Sequence, residues 1–156
     1  MCMQDTNIAQ TTQYAVGDLL YVVHGHGEEE TEYGGVGMVF SKAIKPHITG
    51  FELSQNGRIL VVGIDLAPRR LSVVSVYVPH SRKPEAERAA LFNELNGVIE
   101  KCQKKGATLI LGDFNSRIHG RLNGEDQVLG PNMFGYGAEV AANPMWEQGA
   151  AHTESC

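Results

Sequence analysis

The chain has 156 residues, of which 42% are hydrophobic and 20% charged, and its formal net charge is −5. These values are typical of one globular domain with its own core, and the acidic balance argues against tight non-specific DNA binding by this chain alone. No apolar run approaches the roughly 20 residues of a membrane span and no signal-peptide pattern opens the chain, so we expect an intracellular protein, nuclear or cytoplasmic, with no membrane contact. Its three scattered cysteines exclude a disulfide framework and a cysteine-based zinc site.

The amino-terminal part alternates short apolar runs with glycine-rich loops. Residues 19–23 predict a strand, and residues 34–40 predict a second one in which glycines permit close backbone approach. Between them, His24 and His26 lie in a glycine- and glutamate-rich loop. Two histidines at this spacing can bind a metal, but the setting favours an ordinary exposed loop.

The middle of the chain predicts a β-hairpin followed by a helix. Residues 58–66 and 71–78 are dominated by β-branched residues and separated by a short proline-containing turn, which is typical of antiparallel pairing. Ser81 is the expected cap of the helix and Gly106 its end. Apolar residues at four-three-four spacing form the buried stripe of this helix, namely Leu91, Leu95, Val98 and Cys102, with Phe92 and Ile99 widening it.

A further apolar run, residues 108–111, leads into Gly112, Asp113, Phe114 and Asn115. It predicts a strand buried on both faces, with Gly112 ending the hydrogen-bonded ladder. Residues two apart on a strand-like extension point to the same side, so Asp113 and Asn115 are expected to face one pocket. A carboxylate and an amide there suit a metal-bound water or a phosphate oxygen. The alternative is that both residues are plain turn-formers.

Several of these stretches together resemble the endonuclease/exonuclease/phosphatase superfamily, the deoxyribonuclease-I-like fold. Within it the chain looks most like the apurinic-type endonuclease domains of non-LTR retrotransposons. The matching segments cover about residues 3–135 and are Gln4-Asp5-Thr6, the glycine-rich strand of residues 25–40, Val76-Tyr77-Val78-Pro79 and Leu111-Gly112-Asp113-Phe114-Asn115. The resemblance implies an α+β fold, a partial four-layer α/β/β/α sandwich that lacks terminal strands. We therefore expect a partial domain over residues 1–135 and a poorly patterned tail over 136–156.

The resemblance also implies roles for four side chains. Asp113 matches the aspartate that orients the attacking water, and Asn115 matches the amide that binds the scissile phosphate. Tyr77 matches a tyrosine that contacts this phosphate, although a plain core role is its alternative. Asp5 stands where the family places a metal-binding glutamate. The implied cofactor is Mg²⁺, with Mn²⁺ as an alternative. The implied substrate is DNA, and the implied context is a larger polyprotein.

Two family motifs have no counterpart in these 156 residues. The opening strand that ends in a metal-binding asparagine is missing, and so is the closing Ser-Asp-His-like motif, since His80, His119 and His152 lack its setting. We therefore expect a metal-dependent, endonuclease-type phosphodiesterase whose activity is impaired. The alternatives are a catalytically inactive retroelement remnant or interaction module, and a phosphatase of the same superfamily acting on a small or lipid phosphate.

Overall fold

The computed structural model describes residues 1–25 and 34–116, which contain eight strands, one α-helix and one 3-10 helix. In chain order the elements are β1 (Cys2–Gln4), β2 (Thr12–Val16), β3 (Leu19–His24), β4 (Val36–Ser41), the 3-10 helix Lys42–His47, β5 (Ile48–Leu53), β6 (Ile59–Leu66), β7 (Arg69–Tyr77), α1 (Glu85–Lys105) and β8 (Ala107–Asp113). The strands predicted over residues 19–23 and 34–40 are confirmed as β3 and β4.

The strands form two four-stranded sheets. The first sheet has the order β1-β4-β3-β2, and all its neighbours are antiparallel. The second has the order β5-β6-β7-β8, in which β7 and β8 are parallel and α1 is the crossover between them. The predicted hairpin is confirmed as β6 and β7, which pair from Ile59 with Val76 to Leu66 with Arg69.

Side-chain alternation along β6 explains how the layers are held together. Leu60, Val62 and Ile64 point to one face and join a core with residues of the first sheet. Ile59 and Val61 point to the other face and pack against Leu91, Leu95 and Cys102 of α1. The described residues therefore form an α+β arrangement of two sheets and a helix, in which apolar burial joins all three layers. The full four-layer sandwich stays a prediction.

The helix is largely as predicted, but its start is not. Leu91, Leu95 and Cys102 are buried, Val98 and Ile99 pack beside them, and the N–H of Gly106 closes the last turn on the Cys102 carbonyl at 3.1 Å. The prediction that Ser81 caps the helix is wrong, because the N-cap position is Pro84, without a side-chain cap. A turn in which the N–H of Lys83 donates to the His80 carbonyl at 3.0 Å separates Ser81 from the helix.

Strand β8 differs from its prediction in two ways. Leu109 is 45% and Leu111 38% exposed, so the strand is not buried on both faces. Both residues are in register with β7 residues that face the first sheet, whereas Ile110 packs towards α1. Gly112 does not end the ladder either: it pairs with Val76, and the strand continues to Asp113. A Cβ at Gly112 would collide with the Val76 carbonyl oxygen, so glycine allows the two strands to approach here.

Strands β2 and β5 were not predicted. Every residue of β2 is exposed, and in β5 all but Ile48 are exposed. Strands at the edges of sheets bury few side chains, so they show neither a long apolar run nor a clear alternation. Within the described ranges no helix combines the length and apolarity needed to cross a membrane. The predicted domain boundary at residues 135 and 136, and the tail 136–156, lie outside the described residues.

Candidate functional site

The ends of β7 and β8 bring two of the predicted site residues side by side. Tyr77 is the last residue of β7, Asp113 is the last residue of β8, and the two are register partners in the parallel pair. Just past this point the N–H of Val78 donates to the Asp113 carbonyl at 2.9 Å. Parallel strands end at the same edge of their sheet, and this edge is where α/β-type folds place ligands.

Asn115 is held at the same edge by a turn. Its N–H donates to Asp113 Oδ1 at 2.8 Å, and its Nδ2 donates to the Val78 carbonyl at 2.7 Å. With a φ of +47°, Asn115 lies in the left-handed region, which asparagine tolerates better than most residues. The prediction of a strand-like extension from Asp113 to Asn115 is therefore wrong. The turn nevertheless ties Asp113 and Asn115 to the end of β7.

Asp5 comes from the first sheet, immediately after β1. The neighbouring Gln4 reaches across the sandwich, where its Nε2 donates to Ser75 Oγ of β7 at 3.3 Å. After Asp5, the N–H groups of Thr6 and Asn7 donate to the carbonyls of Gly35 and Gly34 at 3.3 and 3.0 Å. Asp5 itself is exposed and has a φ of +53°. Hydrogen bonds on both sides of Asp5 therefore hold its segment against β4 and β7.

The glycines before and within β4 make this approach sterically feasible, as the glycine-rich pattern predicted. Gly35 has a φ of +91°, and a Cβ there would lie 2.5 Å from Thr6 Oγ1. A Cβ at Gly37 would lie 2.7 Å from Met3 Cε and 3.2 Å from the Val22 carbonyl oxygen. Larger residues at these positions would push β1, and with it Asp5, away from β4.

The pKa of Tyr77 responds to the other three predicted residues. Burial raises the pKa of Tyr77 above its ordinary value, and the charges of Asp5 and Asp113 also raise it. The positive charge of Arg58 and hydrogen bonding to the Asn115 side chain lower this pKa. A phenol beside two carboxylates keeps its proton at neutral pH, so Tyr77 is available there as a hydrogen-bond donor.

Arg58 belongs to this neighbourhood and was not predicted from the sequence. Its side chain is 8% exposed, its guanidinium carbon lies 5.4 Å from the centroid of the Tyr77 ring, and its Nη2 is 3.7 Å from Glu87 Oε1 on α1. A charged residue directly before an apolar run, after Gly57, is the sequence feature that could have drawn attention to it. Buried arginines are rare unless they are paired.

His24 has a structural role rather than the metal-binding one considered for the loop. It is buried at the end of β3, and its Nε2 lies 2.6 Å from the Ser54 carbonyl oxygen. Its Nδ1 lies 3.0 Å from Thr11 Oγ1, which in turn accepts the N–H of Gly25 at 3.2 Å. Both ring nitrogens are therefore engaged. The interpretation as an exposed loop residue is wrong for His24, and His26 lies outside the described residues.

A divalent cation is compatible with the donors at this site. The described residues contain no cluster of three or more His, Cys, Asp or Glu side chains that could hold a metal ion. The charges of Asp5 and Asp113 nevertheless both raise the pKa of Tyr77. Mg²⁺ is commonly held by only one or two carboxylates together with water and substrate phosphates. Two carboxylates at a solvent-accessible edge fit that mode of binding, with Asp5 as the candidate ligand.

Comparisons with known proteins show a distant similarity. No family model matches the chain. Craniofacial development protein 2 of Bos taurus is 26% identical over 117 residues, which are 74% of this chain and 19% of that protein. The protein of the same name from Tragulus javanicus is 25% identical over 117 residues, again 74% of this chain and 19% of the relative. The chain thus spans about a fifth of the length of these relatives. It is distantly similar to a protein with an endonuclease/exonuclease/phosphatase domain.

Proposed function

We propose that residues 1–116 contain the core of a metal-dependent phosphodiesterase site of the endonuclease type, which hydrolyses phosphodiester bonds in nucleic acid. The observation that carries the proposal is the convergence on Tyr77. Asp113 is its register partner, Asn115 is tied to the following residue, and the charge of Asp5 reaches it from the other sheet. Four residues of the types that phosphoryl transfer needs, from three separate segments, would thus act together at the phenol of Tyr77.

The chain's own residues divide the work by their hydrogen-bonding capacity. The carboxylate of Asp113, whose oxygens accept hydrogen bonds, would hold and orient the attacking water. Asn115 and Tyr77 would donate hydrogen bonds to the non-bridging oxygens of the scissile phosphate. Hydrogen bonds within the turn restrain the acceptor, Asp113, and the donor, Asn115, and thereby limit how far either side chain can move. Pre-ordering of this kind lowers the reorganisation needed in the transition state.

Asp5 would hold a divalent cation, Mg²⁺ or Mn²⁺, beside this phosphate. When bound, such a cation neutralises phosphate charge and stabilises the leaving oxygen. An acidic chain could act on a polyanion at this place, because the cation and Arg58 would offset the negative charges of Asp5 and Asp113 locally. The 156 residues contain no match to the family's Asp-His pair. We therefore propose a rate about 10² to 10⁴ below that of a site with a positioned acid/base group.

A second function, an interaction module without catalysis, is favoured by a different observation. Leu109, Leu111 and Phe114 are between 37% and 45% exposed, and they lie on and just after β8, beside the candidate site. Exposed apolar side chains grouped on one strand mark surfaces that bind other protein segments. This function requires the fold but not the charge of Asp113.

Cleavage of DNA by the purified chain separates the two functions. Supercoiled plasmid and a duplex with an abasic site are incubated with Mg²⁺ or Mn²⁺, and a small phosphate monoester is included to detect a phosphatase. We expect slow metal-dependent cleavage of DNA that Asp113→Asn lowers at least about 10²-fold. An asparagine can still accept the N–H of Asn115, so the substitution removes the charge and keeps the turn.

Asp65→Asn is the matched control, because Asp65 Oδ1 also accepts an N–H two residues ahead, from Ala67 at 3.1 Å, at the far end of the β6–β7 hairpin. It should leave the cleavage rate unchanged. If a folded sample cleaves DNA with neither Mg²⁺ nor Mn²⁺, the phosphodiesterase is contradicted and the interaction module is favoured. Equal losses in Asp65→Asn and Asp113→Asn would show that charge removal acts on the whole chain rather than on the site.

A further inference from the structure

We propose that Arg58 is a positioning residue of the candidate site, whose guanidinium lies over the ring of Tyr77 and fixes the direction of the phenol hydroxyl. This role goes beyond the four residues that the sequence motifs indicated, and its catalytic consequence rests on the proposed function. The positioning of Tyr77 by Arg58 does not depend on the proposed function, because it concerns only two neighbouring side chains of the folded chain.

The burial of Arg58 is the first observation in its favour. The side chain is 8% exposed, and its ion-pair partner Glu87, whose side chain is 40% exposed, is 3.7 Å away. A buried charge is costly unless it is well compensated, and one long ion pair with a partly hydrated carboxylate compensates it weakly. The face of the Tyr77 ring, 5.4 Å from the guanidinium carbon, supplies further stabilisation through the negative potential of the ring.

The backbone around Arg58 is fixed by the same segment that ends at Tyr77. The N–H of Tyr77 donates to the Arg58 carbonyl at 2.9 Å. The N–H of Arg58 is shared between Ser54 Oγ and Asn56 Oδ1, both at 3.1 Å. The Arg58 backbone is therefore held from both sides, just before β6, so its side chain leaves the main chain at a defined point next to the ring. Main chain and side chain together give Tyr77 one orientation.

The planar shape of arginine is essential to this role. A guanidinium stacks on an aromatic face over its whole plane, whereas a lysine ammonium is a compact and strongly hydrated charge. Lysine at position 58 would keep the positive charge near Tyr77 and Glu87 but would not cover the ring. Methionine would keep much of the apolar volume and lose the charge. The two substitutions thus separate stacking from charge.

Tyrosine NMR tests the proposal without any need for activity. The chain is labelled with ¹³C at the tyrosine rings, and the Tyr77 signals are identified by their absence in Tyr77→Phe. The chemical shifts of the ring carbons change when a charged, planar group is placed on or removed from the face of the ring. We expect Arg58→Met and Arg58→Lys each to shift or broaden the Tyr77 signals, with smaller changes at the other four tyrosines. Arg70→Met is the control, since Arg70 also forms a 3.7 Å ion pair, with Asp65, and should leave Tyr77 unchanged.

The outcomes separate this proposal from the proposed function. A folded Arg58→Lys chain whose Tyr77 signals match those of the wild type overturns the positioning role, whatever the activity. Denaturant unfolding establishes that each variant is folded, and if Arg58→Met fails to fold, Arg58→Lys alone decides. Where the wild type cleaves DNA, we expect Arg58→Lys to lower kcat about tenfold with little change in KM. Shifted Tyr77 signals in a chain that never cleaves would support the positioning role and contradict the phosphodiesterase.

Discussion

Strands β7 and β1 both deliver residues to the candidate site, but the protein holds them very differently. β7 has nine residues and is paired on both sides, with β6 and β8, and its centre is fully buried between the first sheet and α1. β1 has three partly buried residues and pairs with β4. It also contacts the second sheet, through the 3.3 Å hydrogen bond from Gln4 to Ser75 and through Cys2, which packs against the core between the sheets.

This contrast divides the site into a rigid part and a more weakly held part. Tyr77, Asp113 and Asn115 are fixed by the ladder and by the turn after β8. Asp5 depends on a short edge strand, and short edges are where native proteins open locally with little cost. The groups proposed to contact phosphate are therefore held by more strand pairing than Asp5, the candidate metal ligand.

The largest expected effect tests whether the central strands carry the stability. Leu60 and Leu53 are register partners on β6 and β5, yet Leu60 is completely buried and Leu53 is 46% exposed. We expect Leu60→Ala to lower the free energy of unfolding by about 2 to 5 kcal/mol, because it leaves a cavity in the core between the sheets. Leu53→Ala should cost less than about 1 kcal/mol. Urea unfolding of both variants measures the difference, and equal costs would contradict the contrast between central and edge strands.

An intermediate effect is expected where β1 meets β7. Gln4→Ala removes the hydrogen bond to Ser75 Oγ, a hydroxyl of a completely buried residue. The net loss of such a bond is about 1 kcal/mol. Hydrogen exchange should become faster at the amides of β1 and stay unchanged at those of β7. Faster exchange in both strands would show that β1 and β7 open together and that the site has no separate weak part.

The smallest effect is a pH dependence of stability at alkaline pH. The pKa of Tyr77 is raised in the folded chain, so the folded state binds its proton more tightly than the unfolded state does. This contribution to stability is fully present below the ordinary tyrosine pKa of about 10 and is lost as pH rises through the folded value. Tyr77→Phe has no such proton, so its stability should fall less than that of the wild type above about pH 10. Urea unfolding at a series of pH values measures both stabilities. If the wild type and Tyr77→Phe lose stability equally above about pH 10, the raised pKa of Tyr77 is contradicted.

The sequence predicted elements that carry their own pattern and missed contacts that depend on the fold. The β6–β7 hairpin and the stripe of α1 were readable because apolar residues recur with the period of the structure. The exposed face of β8 was not, since an apolar run does not reveal whether a layer covers each side. The register of Tyr77 with Asp113 and the docking of Gln4 on Ser75 depend on packing between segments. Arg58 was missed for the same reason, because only the fold brings its guanidinium to the Tyr77 ring.

The most direct test of the account is whether Asp5 and Tyr77 share one divalent-cation site. Chains with ¹³C-labelled tyrosine rings are titrated with Mn²⁺, whose unpaired electrons broaden nearby signals, and then with excess Mg²⁺. We predict that Mn²⁺ broadens Tyr77 more than Tyr14, which lies on β2 at the opposite edge of the first sheet from β1. Excess Mg²⁺ should reverse the broadening, and Asp5→Asn should weaken it. Glu52→Gln is the control: it changes an exposed carboxylate paired with Lys105 and should leave the broadening as it is in the wild type. Tyr77 signals that stay sharp, or that broaden equally in Asp5→Asn and the wild type, would contradict a shared site.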